Sequence, residues 1–125
     1  MTNTRGYAGF FNGHLIRSSY EYVMTKLLLN QNINYKYEEK TYFLKQLNVN
    51  YKPDFFIYNE DNILNEIIEV KGGRNEVIVK ANEKAKAMKE EYNIDVKVYD
   101  YKKLKEECLK HELNINNLIN EWKYE

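Results

Sequence analysis

Two strand-like segments joined by one polar turn constrain the fold of this 125-residue chain more than any other feature. Residues 48–58 and residues 63–71 are rich in β-branched and aromatic side chains, and both segments predict strands. Between them lies Asn59-Glu60-Asp61-Asn62, a cluster of residue types that favours a turn. Because a loop this short joins antiparallel neighbours, the two segments predict a β-hairpin.

Helices and further strands are predicted on both sides of this hairpin. Residues 4–17 predict an irregular arm, after which Ser18 or Ser19 can cap a helix that runs to about Leu29. A strand over residues 35–44 precedes the hairpin, and a helix over residues 76–92, a strand over residues 94–98 and helices from Tyr101 and Asn114 follow it. This order is typical of the α/β class, with helices flanking a small mixed sheet.

Length and composition predict one domain over residues 1–125, divided into an N-terminal arm (1–17), a core (18–98) and C-terminal helices (99–125). Hydrophobic residues make up 43% of the chain, which argues against intrinsic disorder. No apolar run approaches the length of a membrane span, so no membrane partner is expected. The single cysteine, Cys108, excludes an internal disulfide, and the expected location is the cytoplasm.

The predicted hairpin brings two carboxylates together. Side chains on a strand alternate between its faces, so Glu69 and Lys71 share one face of their strand. If Tyr58 pairs with Asn65, Asp54 lies directly opposite Glu69, with the two side chains about 5 Å apart. Pro53, which precedes Asp54, indicates a sheet edge or a strand end at this point.

Two carboxylates at this spacing repel one another, and a divalent cation between them relieves the repulsion. Oxygen ligands suit Mg²⁺ or Mn²⁺ better than zinc. A lysine on the same face, as Lys71 is, can contact the attacking water or a phosphate. This combination predicts metal-assisted hydrolysis of a phosphodiester.

Glu21 is a candidate third carboxylate. At helical spacing it lies on the same side as Met24 and Leu28, which places it toward the core, where a metal would provide a partner. The alternative is a glutamate in the first turn that improves the interaction with the helix dipole, and taken alone Glu21 favours this alternative.

These residues resemble the PD-(D/E)XK nuclease superfamily, which has the restriction-endonuclease-like fold. Pro53-Asp54 resembles its PD element, Glu69-Val70-Lys71 resembles its (D/E)XK element, and the predicted element order resembles its αβββαβ core. The similarity is closer to small phage and mobile-element enzymes, in which an Arg-Ser-Ser-aromatic-Glu start, a Pro-Asp-Phe strand and a Glu-Val-Lys-Gly strand occur together. Those elements are residues 17–21, 53–55 and 69–72 here, and the resemblance covers roughly residues 17–98.

The resemblance implies a Mg²⁺-dependent DNA endonuclease, in which Mn²⁺ can replace Mg²⁺. Asp54, Glu69 and Glu21 would be carboxylates of the metal site, the backbone carbonyl of Val70 a further ligand, and Lys71 the catalytic lysine. Because one such site cuts one strand, a homodimer is expected, and a two-fold symmetric four-way junction suits such a dimer. Phage-type Holliday-junction resolution is the expected activity, and a site-specific homing or nicking endonuclease is the alternative.

Five basic residues are candidates for DNA contact. Arg5, Arg17 and Arg74 are the only arginines in the sequence, and arginine binds phosphates and base edges better than lysine does. Lys80 and Lys84 lie four residues apart on a predicted helix and could follow a phosphate backbone, although a solvated lysine face is an equal alternative.

A non-catalytic DNA-binding or inhibitor protein on the same fold is the alternative from a different functional class, and the presence of Asp54, Glu69 and Lys71 together argues against it. The 19 basic and 19 acidic residues give zero net charge, whereas nucleic-acid-binding proteins are usually basic. A cation would reverse the local charge of the metal-site carboxylates. The sequence therefore predicts a basic face around Arg17, Lys71, Arg74 and Lys80.

Overall fold

The computed structural model describes residues 8–123, which form a mixed α/β protein. In chain order, its elements are β1 (Gly9–Phe11), β2 (His14–Ile16), α1 (Ser19–Asn30), β3 (Asn34–Tyr37), β4 (Tyr42–Leu44), β5 (Val49–Tyr51), β6 (Phe55–Tyr58), β7 (Leu64–Val70), α2 (Asn75–Tyr92), β8 (Val96–Tyr99), α3 (Tyr101–Lys110) and α4 (Ile115–Lys123).

The elements group into two compact units, one containing the described residues up to Asn32 and from Tyr101 onward, the other Ile33–Asp100. The single domain predicted from the sequence stays a prediction. No helix among residues 8–123 is both long enough and apolar enough to cross a membrane.

A four-stranded mixed sheet forms the centre of the unit Ile33–Asp100, in the order β3-β6-β7-β8. The pairs β3–β6 and β6–β7 are antiparallel, whereas β7 and β8 are parallel. A parallel pair needs a long crossover connection, and helix α2 provides it. Strands β4 and β5 form a separate two-stranded sheet.

The strands before β7 are shorter than predicted, and this corrects the sequence analysis. The expected strand over residues 35–44 is divided between β3 and β4, which belong to different sheets. The expected strand over residues 48–58 is likewise divided, because Lys52-Pro53-Asp54 separates β5 from β6. Pro53 has no backbone N–H to donate to a neighbouring strand, so it marks a strand end, as its sequence position indicated.

The register between β6 and β7 is the predicted one over most of its length. Phe55 pairs with Ile68, and Phe56 pairs with Ile67. Extending this register by one residue places Asp54 opposite Glu69. The assumed pair of Tyr58 with Asn65 is wrong, because a bulge between Ile57 and Tyr58 shifts Tyr58 onto Leu64. The irregularity lies at the turn end of the hairpin, so it leaves the register at the carboxylates unchanged.

One face of this sheet packs into a hydrophobic core with α2 and the β4–β5 sheet. Its buried members are Tyr42, Leu44, Tyr51, Phe56, Ile67, Ala87 and Met88. On α2, Ala81, Ala87 and Met88 are buried, whereas Tyr92 is exposed on the last turn, where its hydroxyl donates to the Phe43 carbonyl. Because Asp54 and Glu69 follow the alternation of Phe56 and Ile67, they lie on this face of the sheet.

The other unit contains α1, α3, α4 and a hairpin that the sequence analysis missed. Residues 9–16 form β1 and β2 around Asn12-Gly13, where the predicted irregular arm was expected, and both turn residues have positive φ. This is the backbone geometry of a two-residue hairpin turn, for which Asn-Gly is a strong signal. The Trp122 ring stacks on Tyr22, and a Cβ atom at Gly9 would lie 2.9 Å from the Trp122 ring, so this approach requires glycine.

Substitution of two phenylalanines in this unit should reduce stability by very different amounts, because only one of them lies in the core. Phe56 is 1% exposed and Phe43 is 45% exposed. Phe56→Ala is expected to lower the free energy of unfolding by about 3–5 kcal/mol, because it leaves a cavity in the core. Phe43→Ala should lower it by roughly 0.5 kcal/mol. Urea unfolding of both variants measures the difference, and similar losses would contradict this description of the core.

Candidate active site

Asp54 and Glu69 lock one another in place through reciprocal hydrogen bonds. The backbone N–H of Asp54 donates to Oε1 of Glu69 at 3.1 Å, and the backbone N–H of Val70 donates to Oδ2 of Asp54 at 2.8 Å. Each carboxylate is therefore held by the backbone of the other strand. Both residues are buried, Asp54 at 6% exposure and Glu69 at 3%. The structure thus brings the two predicted carboxylates together, and these hydrogen bonds restrict the rotation of both side chains.

Lys71 lies beside this pair, as the strand alternation predicts. Its Nζ atom is 3.3 Å from Oε2 of Glu69, and its side chain is 38% exposed, whereas that of Glu69 is 4% exposed. The backbone N–H of Lys71 donates to the Tyr99 carbonyl, which anchors the residue at the end of β7. The backbone of Lys71 is consequently fixed, whereas its side chain is partly accessible to solvent.

Burial makes ionisation of Glu69 less favourable than it is in water. It raises the pKa of the Glu69 carboxyl above its ordinary value, and this effect exceeds the lowering by the Lys71 ammonium, the Asp54 N–H and the Tyr51 hydroxyl. A buried carboxylate with a raised pKa is typical of sites that bind a cation or transfer a proton, since structural ion pairs normally lower such values.

Tyr51, which the sequence analysis did not select, is a further member of the site. It is 3% exposed, and its pKa is raised by burial and by the nearby charges of Glu69 and Asp54. The predicted continuous strand would have put Tyr51 and Asp54 on opposite faces, because they are three residues apart. The break at Lys52-Pro53-Asp54 removes this restriction, and Pro53 was the signal in the sequence that could have indicated it.

The predicted DNA-binding residues of this unit lie in different environments. Lys84 is half-buried with Nζ 5.4 Å from the centre of the Tyr51 ring, so α2 brings it close to this member of the site. Lys80 is exposed one turn earlier on the same helix. Arg74 is exposed at the start of α2 and pairs with Glu76 at 3.3 Å. Contact of these three residues with DNA stays a prediction.

Glu21 and Arg17 belong to the other unit, and Glu21 has a local structural role there. Ser18 caps α1, since its Oγ accepts the N–H of Glu21, and Oε1 of Glu21 in turn accepts the N–H of Arg17 at 2.8 Å. This resembles a capping box, in which a carboxylate in the first turn satisfies a backbone donor before the helix. The roles of Glu21 at a metal and of Arg17 on DNA stay predictions, and Arg5 lies outside the described residues.

The donors around Asp54 and Glu69 fit a magnesium ion. Mg²⁺ is usually bound through one or two carboxylates and retains several waters, so it needs no larger protein cage. Within residues 8–123 no group of three or more His, Cys, Asp and Glu side chains is arranged to hold a metal. Val70 is the last residue of β7, and ligation by its carbonyl stays a prediction.

No protein-family model, curated protein or solved structure matches this chain. The function assigned to the site therefore depends on its own geometry and chemistry.

The raised pKa of Glu69 predicts a stability that falls with pH. The folded protein holds this proton more tightly than the unfolded chain does, so the free energy of unfolding decreases as the pH rises from the ordinary value of 4.5 through the raised value. Glu69→Gln keeps an oxygen to accept the Asp54 N–H and removes the buried charge. In EDTA at pH 8 it should raise Tm by several degrees, since about 1 kcal/mol corresponds to roughly 4 °C in a domain of this size.

Glu66→Gln is the matched control for this variant. Glu66 lies three residues earlier on β7, where its side chain is 21% exposed and pairs with Lys97 at 2.9 Å. This substitution should leave Tm nearly unchanged, because an ion pair near the surface contributes little. The advantage of Glu69→Gln should shrink at pH 4. A Glu69→Gln protein that melts below the wild type at pH 8 would contradict the assigned cost of the buried carboxylate.

Proposed function

We propose that this protein is a metal-dependent endonuclease that hydrolyses phosphodiester bonds in DNA. The observation that carries the proposal is the reciprocal locking of Asp54 and Glu69, with the Lys71 ammonium 3.3 Å from Glu69. Burying two carboxylates beside one accessible lysine costs folding free energy in a protein that binds no ligand there, because the desolvation penalty of the two charges is not offset. A divalent cation and an anionic phosphate together would neutralise every member of this group.

In this mechanism, Asp54 and Glu69 would hold Mg²⁺, or Mn²⁺ in its place. The ion would supply charge neutralisation at the phosphate and activation of water. The Lys71 ammonium has three N–H donors, so those not directed at Glu69 would contact the phosphate or orient the attacking water. The backbone hydrogen bonds to both carboxylates would hold the geometry of the site meanwhile.

The order of elements supports the same proposal. The elements α1, β3, β6, β7, α2 and β8 follow one another as helix, three strands, helix and strand, with the β4–β5 sheet inserted between β3 and β6. This is the order expected of a restriction-endonuclease-like αβββαβ core. Glu69 lies on the central strand β7 and Asp54 immediately precedes the central strand β6, where the EXK and PD elements of such enzymes are expected.

Branched DNA is the proposed substrate, and a homodimer is the proposed active form. A single site of this kind cuts one strand, so two copies related by a two-fold axis suit a four-way junction. Exposed Arg74 and Lys80, together with half-buried Lys84, would contact the phosphates on either side of the scissile bond. Each contact would make binding sensitive to salt.

Lys71→Ala should lower the cleavage rate by at least about 100-fold, because it removes the group that orients the attacking water or neutralises the phosphate. Lys97→Ala is the matched control, since Lys97 also pairs with a glutamate of β7, at 2.9 Å from Glu66, but belongs to a different ion pair. The control should cleave at the wild-type rate. Gel assays with Mg²⁺ measure both rates, and equal rates for the two variants would show that Lys71 is not catalytic.

The substrate is tested by comparing a four-way junction, a supercoiled plasmid and a linear duplex, each with Mg²⁺ or EDTA, alongside a single-stranded RNA. Preferred cleavage of the junction with Mg²⁺ is expected, and none with EDTA. Preferred nicking of plasmid would instead favour a site-specific homing or nicking enzyme. Binding without cleavage of any substrate would exclude the endonuclease and favour a non-catalytic DNA-binding protein.

A further inference from the structure

The Tyr51 hydroxyl is a buried polar atom that makes no well-formed hydrogen bond to any residue the structure describes. Leaving such a group unpaired costs roughly 1–3 kcal/mol, and buried hydroxyl groups in native proteins almost always have a partner. The rest of the side chain packs well, since Tyr51 belongs to the hydrophobic core with Phe56, Ile67 and Met88. A phenylalanine would fill the same space without the unpaired oxygen, so packing alone does not account for the hydroxyl.

The surroundings of the hydroxyl indicate what it is placed to contact. The carboxylates of Glu69 and Asp54 lie close enough to Tyr51 to affect its ionisation, and Glu69 has the larger influence. The hydroxyl thus lies within the influence of Glu69 as a hydrogen-bond acceptor, but the contact does not reach good hydrogen-bond geometry in the metal-free protein. The Lys84 ammonium lies 5.4 Å from the centre of the Tyr51 ring and helps to fix its position.

The hydrogen-bonding capacity of Glu69 leaves room for this donor. A carboxylate accepts at about four lone-pair positions. In Glu69 the Asp54 N–H occupies one on Oε1, and the Lys71 ammonium occupies one on Oε2. A cation would take a third. If Lys71 turns toward a phosphate, Oε2 loses its donor, and the Tyr51 hydroxyl is the nearby group with an unused proton.

We propose that Tyr51 is a positioning residue, whose hydroxyl donates to the Glu69 carboxylate when a divalent cation is held between Glu69 and Asp54. This inference rests on the proposed metal-dependent function. It assigns the hydroxyl a hydrogen bond that the metal-free protein leaves poorly formed, which accounts for a buried group without a well-placed partner. Groups that orient a metal ligand in this way typically change metal affinity by about 10–100-fold.

The test compares Tyr51→Phe with Tyr42→Phe and measures two properties of each full-length protein. Tyr42 pairs with Tyr51 across β4–β5, is 5% exposed and belongs to the same core, so it is a matched control that lies outside the metal site. The first measurement is Tm in EDTA, and the second is the Kd for Mn²⁺ by isothermal titration calorimetry. Neither measurement depends on catalytic activity.

Tyr51→Phe should melt in EDTA at the wild-type temperature or above it, and it should bind Mn²⁺ at least about 10-fold more weakly. Tyr42→Phe should bind Mn²⁺ like the wild type. Unchanged Mn²⁺ affinity in Tyr51→Phe would overturn the inference while leaving the proposed function intact. A Tm in EDTA below that of Tyr42→Phe would overturn it as well, because the hydroxyl would then stabilise the metal-free fold. A wild type that binds no Mn²⁺ would overturn both proposals.

Discussion

The structure of the site depends on two hydrogen bonds from backbone N–H groups to carboxylates. They join the two strands of the β6–β7 hairpin at the point where the regular pairing ends. The Asp54 N–H donates to Glu69, and the Val70 N–H donates to Asp54. These bonds replace the regular strand pairing that Pro53 interrupts, and they use carboxylate oxygens where backbone carbonyls would otherwise accept. They therefore serve the fold and the site together: the hairpin is closed at this end by the same groups that are proposed to hold a metal.

Burying the Glu69 carboxylate costs stability, and the contacts of Glu69 within the protein do not fully offset that cost. Glu69 has an ammonium group and a backbone N–H as partners, and burial still raises its pKa. Tyr51 adds a buried hydroxyl without a well-formed hydrogen bond. Strained or underpaired groups of this kind concentrate at functional sites, where activity limits how far stability can be optimised. The proposed divalent cation would account for both features, because it would favour the ionised carboxylate and reorder the donors around it.

Much of this could be predicted from the sequence, and the rest depended on tertiary context. The alternation of Glu69 and Lys71 on one strand and the turn at residues 59–62 were enough to place Asp54 opposite Glu69. The bulge at Tyr58 was not predictable, since it changes no hydrophobic pattern. The division of the strands around Pro53 was missed because aromatic residues continue on both sides of the break, and the position of Tyr51 was lost with it. The pair Asn12-Gly13 is a recognisable turn signal. It was missed because the glycines of the N-terminal segment indicated an irregular arm.

Anomalous X-ray diffraction from crystals of the protein soaked in Mn²⁺ would locate the proposed metal directly. An anomalous peak is expected between the Asp54 and Glu69 carboxylates, with oxygen ligands from both side chains. The same soak of an Asp54→Asn crystal should show a weakened or absent peak. Ordered Mn²⁺ elsewhere on the protein, with none between these two carboxylates, would contradict the account.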